Sequence, residues 1–251
     1  MTDLRGSVCL VTGATAGIGR ATVDALLARG TEIVAAGRDE DALREVGRAE
    51  RVNALATDLA EPDAAVRLAD EACAVHGRVD VLVNCAGVGL FGSFASVNAE
   101  ELERVVAINL TAPIALTRAL LPQMLERRSG HVVNVGSVVG HVGRAKEAAY
   151  AATKAGLAVF SDSLREELRG TGVSVSLVSP GVVDTRFFDR RGVAYDRRWP
   201  GPVPPDRVAE AVVQAIVGNR SETLVPGWLA LPVRLRGAAP GLYQALARRF
   251  D

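Results

Sequence analysis

Lysine is nearly missing from this chain. Among 251 residues there are two, Lys146 and Lys154, against 27 arginines, so a position that keeps lysine stands out. Basic and acidic residues balance at 29 each, which removes the cationic surplus expected of a nucleic-acid binder. Cysteine is scarce: Cys9, Cys73 and Cys85 are odd in number and read as buried, reduced thiols, with no disulfide framework. The three histidines, His76, His131 and His141, lack zinc-like spacing, and no metal site is expected. No uncharged apolar run reaches the roughly 18 residues of a membrane span. The first strand-like run begins near residue 7, so no signal peptide is expected and a cytoplasmic location is.

What remains is a chain 49% apolar, long enough for one large α/β domain. Strand-like runs fall near 7–12, 31–36, 52–56, 79–83, 131–136, 173–178 and 222–225. Helical patterns fall near 17–29, 40–49, 62–75, 99–127, 148–169 and 205–218, with Asn98 and Glu101 set as a cap and its N3 acid. Strands alternating with helices predict a Rossmann-like, doubly wound parallel sheet of about seven strands, helices on both faces. That domain takes residues 1–225 and leaves 226–251 as a tail.

Two motifs carry chemistry. Val8-Cys9-Leu10-Val11 leads into Thr12-Gly13-Ala14-Thr15-Ala16-Gly17-Ile18-Gly19 and then a helix. Strand, glycine-rich turn and helix are the context a dinucleotide-binding loop requires, because glycine admits close backbone approach and a helix N-terminus offers free N–H groups. The spacing is G-x-x-x-G-x-G, not the standard G-x-G-x-x-G, and glycines also serve plain turns. The second motif is Tyr150-Ala151-Ala152-Thr153-Lys154. Residues i and i+4 share a helix face, so the ammonium can sit beside the phenol. An unperturbed phenol titrates near pH 10, and a neighbouring cation brings it toward a useful range.

With both motifs in place the chain resembles the short-chain dehydrogenase/reductase family over roughly residues 5 to 225. The family's glycine loop is matched by Thr12, Gly13, Gly17 and Gly19, and its acidic residue after the third strand by Asp58. Its Asn-x-Ala-Gly turn is matched by Asn84, Ala86 and Gly87, with Cys85 where asparagine is commoner. Its Pro-Gly turn and following threonine are matched by Pro180, Gly181 and Thr185. The resemblance implies a catalytic set of Asn109, Ser137, Tyr150 and Lys154. Tyr150 would exchange a proton with the substrate oxygen, Ser137 would bind that oxygen, Lys154 would lower the phenol pKa and hold the nicotinamide ribose, and Asn109 would hold a relay water. Thr15, Ile18, Arg38, Leu59 and Val183 join the implied cofactor contacts, together with Tyr150 and Lys154.

The activity so implied is hydride transfer between a carbonyl/alcohol pair and a nicotinamide dinucleotide. NADP(H) is expected over NAD(H): the position at the end of the second strand that holds a carboxylate in NAD-specific sites is Gly37, followed by Arg38, a guanidinium suited to phosphate. Against this stand Ala16, where a basic residue is common, and Asp39, which could turn to the ribose if the strand end shifts. Phe91, Phe94, Phe187, Phe188 and Trp199 suggest an apolar substrate. The tail mixes Leu229, Leu231, Val233, Leu235, Leu242, Leu246 and Phe250 with Arg234, Arg236, Arg248 and Arg249. It could cover the pocket, pack on a partner subunit of a homodimer or homotetramer, or make peripheral membrane contact; Pro232 and Pro240 forbid one continuous helix. The competing reading is a catalytically silent dinucleotide-binding regulator.

Overall fold

The computed structural model describes residues 3–193, 195 and 200–247. Asp196, Arg197, Arg198 and Trp199 in the pocket region, and Arg248, Arg249 and Phe250 in the tail, lie outside the described residues. Seven parallel strands form one sheet in the order β3-β2-β1-β4-β5-β6-β7: β1 Val8–Thr12, β2 Glu32–Gly37, β3 Val52–Ala56, β4 Val81–Asn84, β5 Gly130–Val135, β6 Val173–Pro180 and β7 Glu222–Val225. Both faces are covered, so the central strands are buried throughout and mostly apolar, with His131 and Asn134 of β5 and Asn84 of β4 among the buried polar exceptions.

Successive β1 residues serve opposite faces. Cys9 and Val11 join the core beneath α1 (Gly17–Leu27) and α9 (Pro205–Gly218). Val8 and Leu10 join Leu68 of α3 (Ala64–His76) and Leu116, Leu120 and Met124 of α5 (Ala112–Glu126) on the other. The chain winds outward from β1 through β2 to β3, then returns to place β4 on β1's other side. Connections therefore part in opposite directions at the β1/β4 seam, and a crevice opens at the strands' C-terminal ends.

The helical stretch 99–127 resolves into α4 (Ala99–Val106), a π-helical turn (Ala107–Thr111) and α5. By length and composition this helix could cross a membrane, but its inner face packs in the sheet's core. Asn98 caps it by accepting from the Glu100 N–H at 2.8 Å. Sequence periodicity passes over the short α6 (Val138–Val142) and α8 (Phe187–Arg190), which lie between α5 and α9 along the chain and flank α7 (Ala148–Glu167). The tail forms α10 (Ala230–Ala238) and α11 (Pro240–Ala247); Pro232 is accommodated in the first turn of α10 and Pro240 starts α11, as the two prolines require. Of the cysteines expected to be buried, only Cys9 is. Cys73 and Cys85 are partly exposed, the first on the flank of α3, the second where the chain leaves β4 for the crevice.

Thr12 locks the seam. Its hydroxyl oxygen accepts from the Cys85 and Ala86 N–H groups, each at 3.1 Å, fixing the turn after β4 to the end of β1. Thr12→Val keeps the shape and strands two N–H groups, so it should destabilise the protein by about 2–4 kcal/mol, read by urea denaturation. Thr12→Ser should recover most of that loss.

Candidate active site

The loop between β1 and α1 is built on close approaches. A Cβ on Gly13 would stand 2.9 Å from the Ala86 Cα, and one on Gly19 only 2.1 Å from the Gly13 carbonyl oxygen. Gly13 and Gly17 also adopt φ of 67° and 52°, a region glycine enters freely. Ala16, at the start of α1, gives no side-chain cap, and no acidic residue sits in the first turn. The helix N-terminus therefore faces the crevice with its N–H groups and positive dipole end available to an anion. A cleft of about 1980 Å³ runs from this loop past the ends of β4 and β5 to the tail.

Most of the residues matched to the family lie along it: Gly13, Thr15, Gly17, Ile18, Gly19, Arg38, Asp58, Leu59, Ala86, Gly87, Ser137, Tyr150, Lys154, Pro180, Gly181, Val183 and Thr185. Three stand behind the wall instead. Thr12 serves the seam. Asn84 donates from Nδ2 to Asn134 Oδ1 at 2.8 Å, and Asn134 donates to Ser161 Oγ at 2.8 Å, a buried polar chain from β4 to α7. Asn109 is fully buried; its Oδ1 accepts from the Val88 N–H and its Nδ2 donates to the Val88 carbonyl, both at 2.9 Å, with Thr153 Oγ1 at 3.3 Å. The π-helical turn aims this side chain at the segment after Gly87. With both amide ends engaged, the side chain works as a clamp on the Val88 segment.

At the cleft's inner end Tyr150 and Lys154 lie one turn apart on α7, both buried. Lys154 Nζ donates to the Val135 carbonyl at 2.9 Å, and burial brings its pKa down to about 8, with Cys85 opposing weakly. Burial likewise pushes the Tyr150 phenol up to about 12; a hydrogen bond with Ser137 pulls the other way, Glu147 adds to the rise and Arg191 opposes it. The expected lowering by Lys154 is not what this arrangement yields, because the ammonium is directed at the Val135 carbonyl and desolvation dominates the phenol. Ser137 begins α6 and accepts from the Val139 N–H at 3.2 Å, leaving its hydroxyl proton to donate.

At the opposite end β2 stops at Gly37, and Asp39 Oδ1 accepts from the Ala42 N–H at 3.0 Å as the cap of α2 (Glu40–Val46). The cap engages one carboxylate oxygen, and Asp39 still lines the cleft beside Arg38. A Cβ on Gly37 would stand 2.9 Å from Thr15 Cγ2, so the loop itself crowds a larger residue there. Asp58 takes Arg104 at 3.0 Å and Arg38 at 3.9 Å. Burial acts to raise its carboxyl, but the Ala60 N–H, Arg104 and Arg38 together hold it below the usual carboxylate range. Arg104, on α4, also lines the cleft, and no motif in the sequence marks it.

A small lid covers Tyr150. Phe187 of α8 stands 5.7 Å from the Tyr150 ring, centroid to centroid, and a Cβ on Gly89 would stand 2.9 Å from the Phe187 ring. Behind it, Arg191 pairs with the buried Glu147 at 2.6 Å while its guanidinium lies over Phe91 and Phe188, 4.7 and 4.5 Å from their centroids. Arg144 reaches the same carboxylate at 3.3 Å. Breaking a buried pair leaves one charge uncompensated, so Arg191→Met should cost about 3 kcal/mol. The double variant with Glu147→Gln should cost less than the two single losses added together, as a double-mutant cycle by thermal unfolding would show.

Residues 7–195 match the short chain dehydrogenase family. The ketoacyl reductase HetN of Nostoc sp. is 36% identical over 235 residues, spanning 90% of this chain and 80% of that protein. A short chain dehydrogenase/reductase from Burkholderia phymatum, solved in complex with NAD, superposes with a TM-score of 0.88 at 28% identity, covering 96% of both chains. A metagenomic short-chain oxidoreductase solved with NADP gives 0.74 at 37% identity, covering 89% of this chain and 98% of that one. Sequence, sheet order and the Tyr150/Lys154 pair agree: the chain belongs to the short-chain dehydrogenase/reductase family, NAD(P)-dependent enzymes acting on a CH–OH/C=O pair.

Proposed function

We propose that the protein is an NADP(H)-dependent oxidoreductase interconverting an apolar ketone or aldehyde and its alcohol, with Tyr150 as general acid/base. The observation that carries this is the meeting of Tyr150, Ser137 and Lys154 in one cleft that also takes in the glycine loop and the uncapped start of α1. The carbonyl chemistry in the name of the Nostoc reductase agrees. A silent cofactor-binding regulator would have no need to keep Ser137, Tyr150 and Lys154 together.

The residues present fit a dinucleotide. Backbone cleared by Gly13, Gly17 and Gly19 and the uncapped start of α1 suit a pyrophosphate, and Lys154, beside Gly87, suits a ribose hydroxyl. When bound, the nicotinamide supplies or accepts the hydride. In reduction, Ser137 donates to the carbonyl oxygen, lowering the cost of charge developing there, and Tyr150 transfers its phenolic proton to that same oxygen. In oxidation, the phenolate takes the proton back from the alcohol. Phe187 and the lid keep water from the reacting oxygen, and Asn109 fixes the Val88 segment that forms the cleft's inner wall.

NADP(H) preference rests on Arg38, which is about half exposed beside Gly37 and held only at 3.9 Å by Asp58, within reach of a 2′-phosphate. Arg38→Ala should weaken NADPH about ten- to hundredfold, the range for losing a charged hydrogen bond, while NADH changes by less than about threefold; fluorescence titration of each cofactor would decide. Equal losses for both cofactors would remove the preference from Arg38.

Tyr150→Phe should lower kcat by about a thousandfold and leave NADPH affinity within about twofold. In the parent protein, Tyr150 remains protonated well below pH 12. Reduction should therefore stay level from about pH 6 until Lys154 begins to lose its charge near pH 8. Alcohol oxidation needs the phenolate, whose fraction below the pKa grows tenfold per pH unit, so kcat/KM should rise about tenfold per unit over the same range. Retained turnover in Tyr150→Phe would sink the assignment.

A further inference from the structure

The cleft does not stop at Tyr150. Beyond the reacting end it continues between α6 and the tail, with Val138 and Val142 on one wall and Leu231, Leu235 and Leu246 on the other. Ligand sites of drug size occupy about 300–1,000 Å³, so a cleft of about 1980 Å³ leaves ample room after a dinucleotide is seated. Among the described residues, no charged side chain of the tail lines it. Neither arginine of α10 lines it, and Arg236 donates to the His141 carbonyl, fastening the helix to α6. Leu229, at the foot of α10, packs where a Cβ on Gly181 would meet it at 2.9 Å. The tail is thus tethered, and Leu231, 69% exposed, and Leu246, 38% exposed, line the cleft, whereas Leu242, 55% exposed, does not.

Leucines left bare along a channel that leads to a proton donor call for an apolar ligand of matching length. We infer that the substrate carries its carbonyl near one end of a straight alkyl or acyl chain, and that the chain lies in the corridor between α6 and α10–α11. A chain explains why bare leucines face a corridor that is continuous with the reacting centre. This rests on the carbonyl/alcohol reading above and narrows its substrate class.

The test is kcat/KM with NADPH for straight-chain 2-ketones from butanone to 2-dodecanone, in the parent protein, Leu231→Glu and Leu246→Glu. Both leucines are exposed enough for the variants to fold. The parent should gain about two- to fourfold per added methylene until the corridor is filled, and each glutamate should flatten that slope. Binding of 1-dodecanol to the NADPH-loaded protein, followed by tryptophan fluorescence, should weaken in both variants about tenfold or more. A flat parent series with Tyr150-dependent turnover of butanone overturns the corridor and leaves the reading intact. No turnover with any ketone and no dodecanol binding overturns both. If Leu231→Glu abolishes sedimentation with phosphatidylcholine vesicles but keeps the chain-length slope, the leucines face lipid and the corridor is wrong.

Discussion

Thr12 ends β1 with one hydroxyl oxygen accepting two backbone N–H groups from the turn that follows β4, and Gly13 leaves no room there for a Cβ. Everything at the site is referred to this seam. It sets the loop before α1 against the Ala86–Gly87 turn, and so fixes the floor of the cleft. Asn84, the last residue of β4, then reaches Asn134 and through it Ser161 of α7, tying the helix that carries Tyr150 and Lys154 to the same strand ends. Asn109 adds the segment beyond Gly87 from the opposite side. Asn84, Asn109 and the Thr12 hydroxyl, which the family resemblance places among the cofactor and catalytic contacts, thus also brace the site through buried hydrogen bonds, with Asn134 between β4 and α7.

The electrostatics follow from that enclosure. Both ionisable groups of the pair shift toward their neutral forms, the phenol up to about 12 and the ammonium down to about 8, because low-dielectric surroundings penalise charge of either sign. A neutral phenol is the form a carbonyl reductase needs, since it must arrive with a proton to give. The buried Glu147–Arg191 pair reinforces the design: it binds the lid that presses Phe187 onto Tyr150, and its two charges act on the phenol in opposite directions.

Much of this was legible in the residues. Seven strands and six main helices follow from apolar runs and periodicity, and Tyr150 with Lys154 stands out because lysine is so rare. The glycine loop announces its own clearances. The remainder was hidden for physical reasons. Helices α6 and α8 are too short to show a period, and the lid ion pair joins residues 44 positions apart. Arg104 reaches Asp58 across a similar gap, which no local pattern encodes. The direction of the Tyr150 shift also escaped, because an i, i+4 spacing shows proximity on a helix face but not the burial that outweighs it.

Central to the account is a Tyr150 phenol kept protonated by burial. With Tyr150, Tyr195 and Tyr243 as the chain's tyrosines, ultraviolet difference titration at 295 nm of the parent against Tyr150→Phe isolates this phenol. The account predicts no Tyr150 phenolate signal up to about pH 10, with ionisation setting in only at the alkaline limit of the folded protein. A midpoint below about pH 8 would contradict it, and would mean that a cation, not desolvation, governs the site.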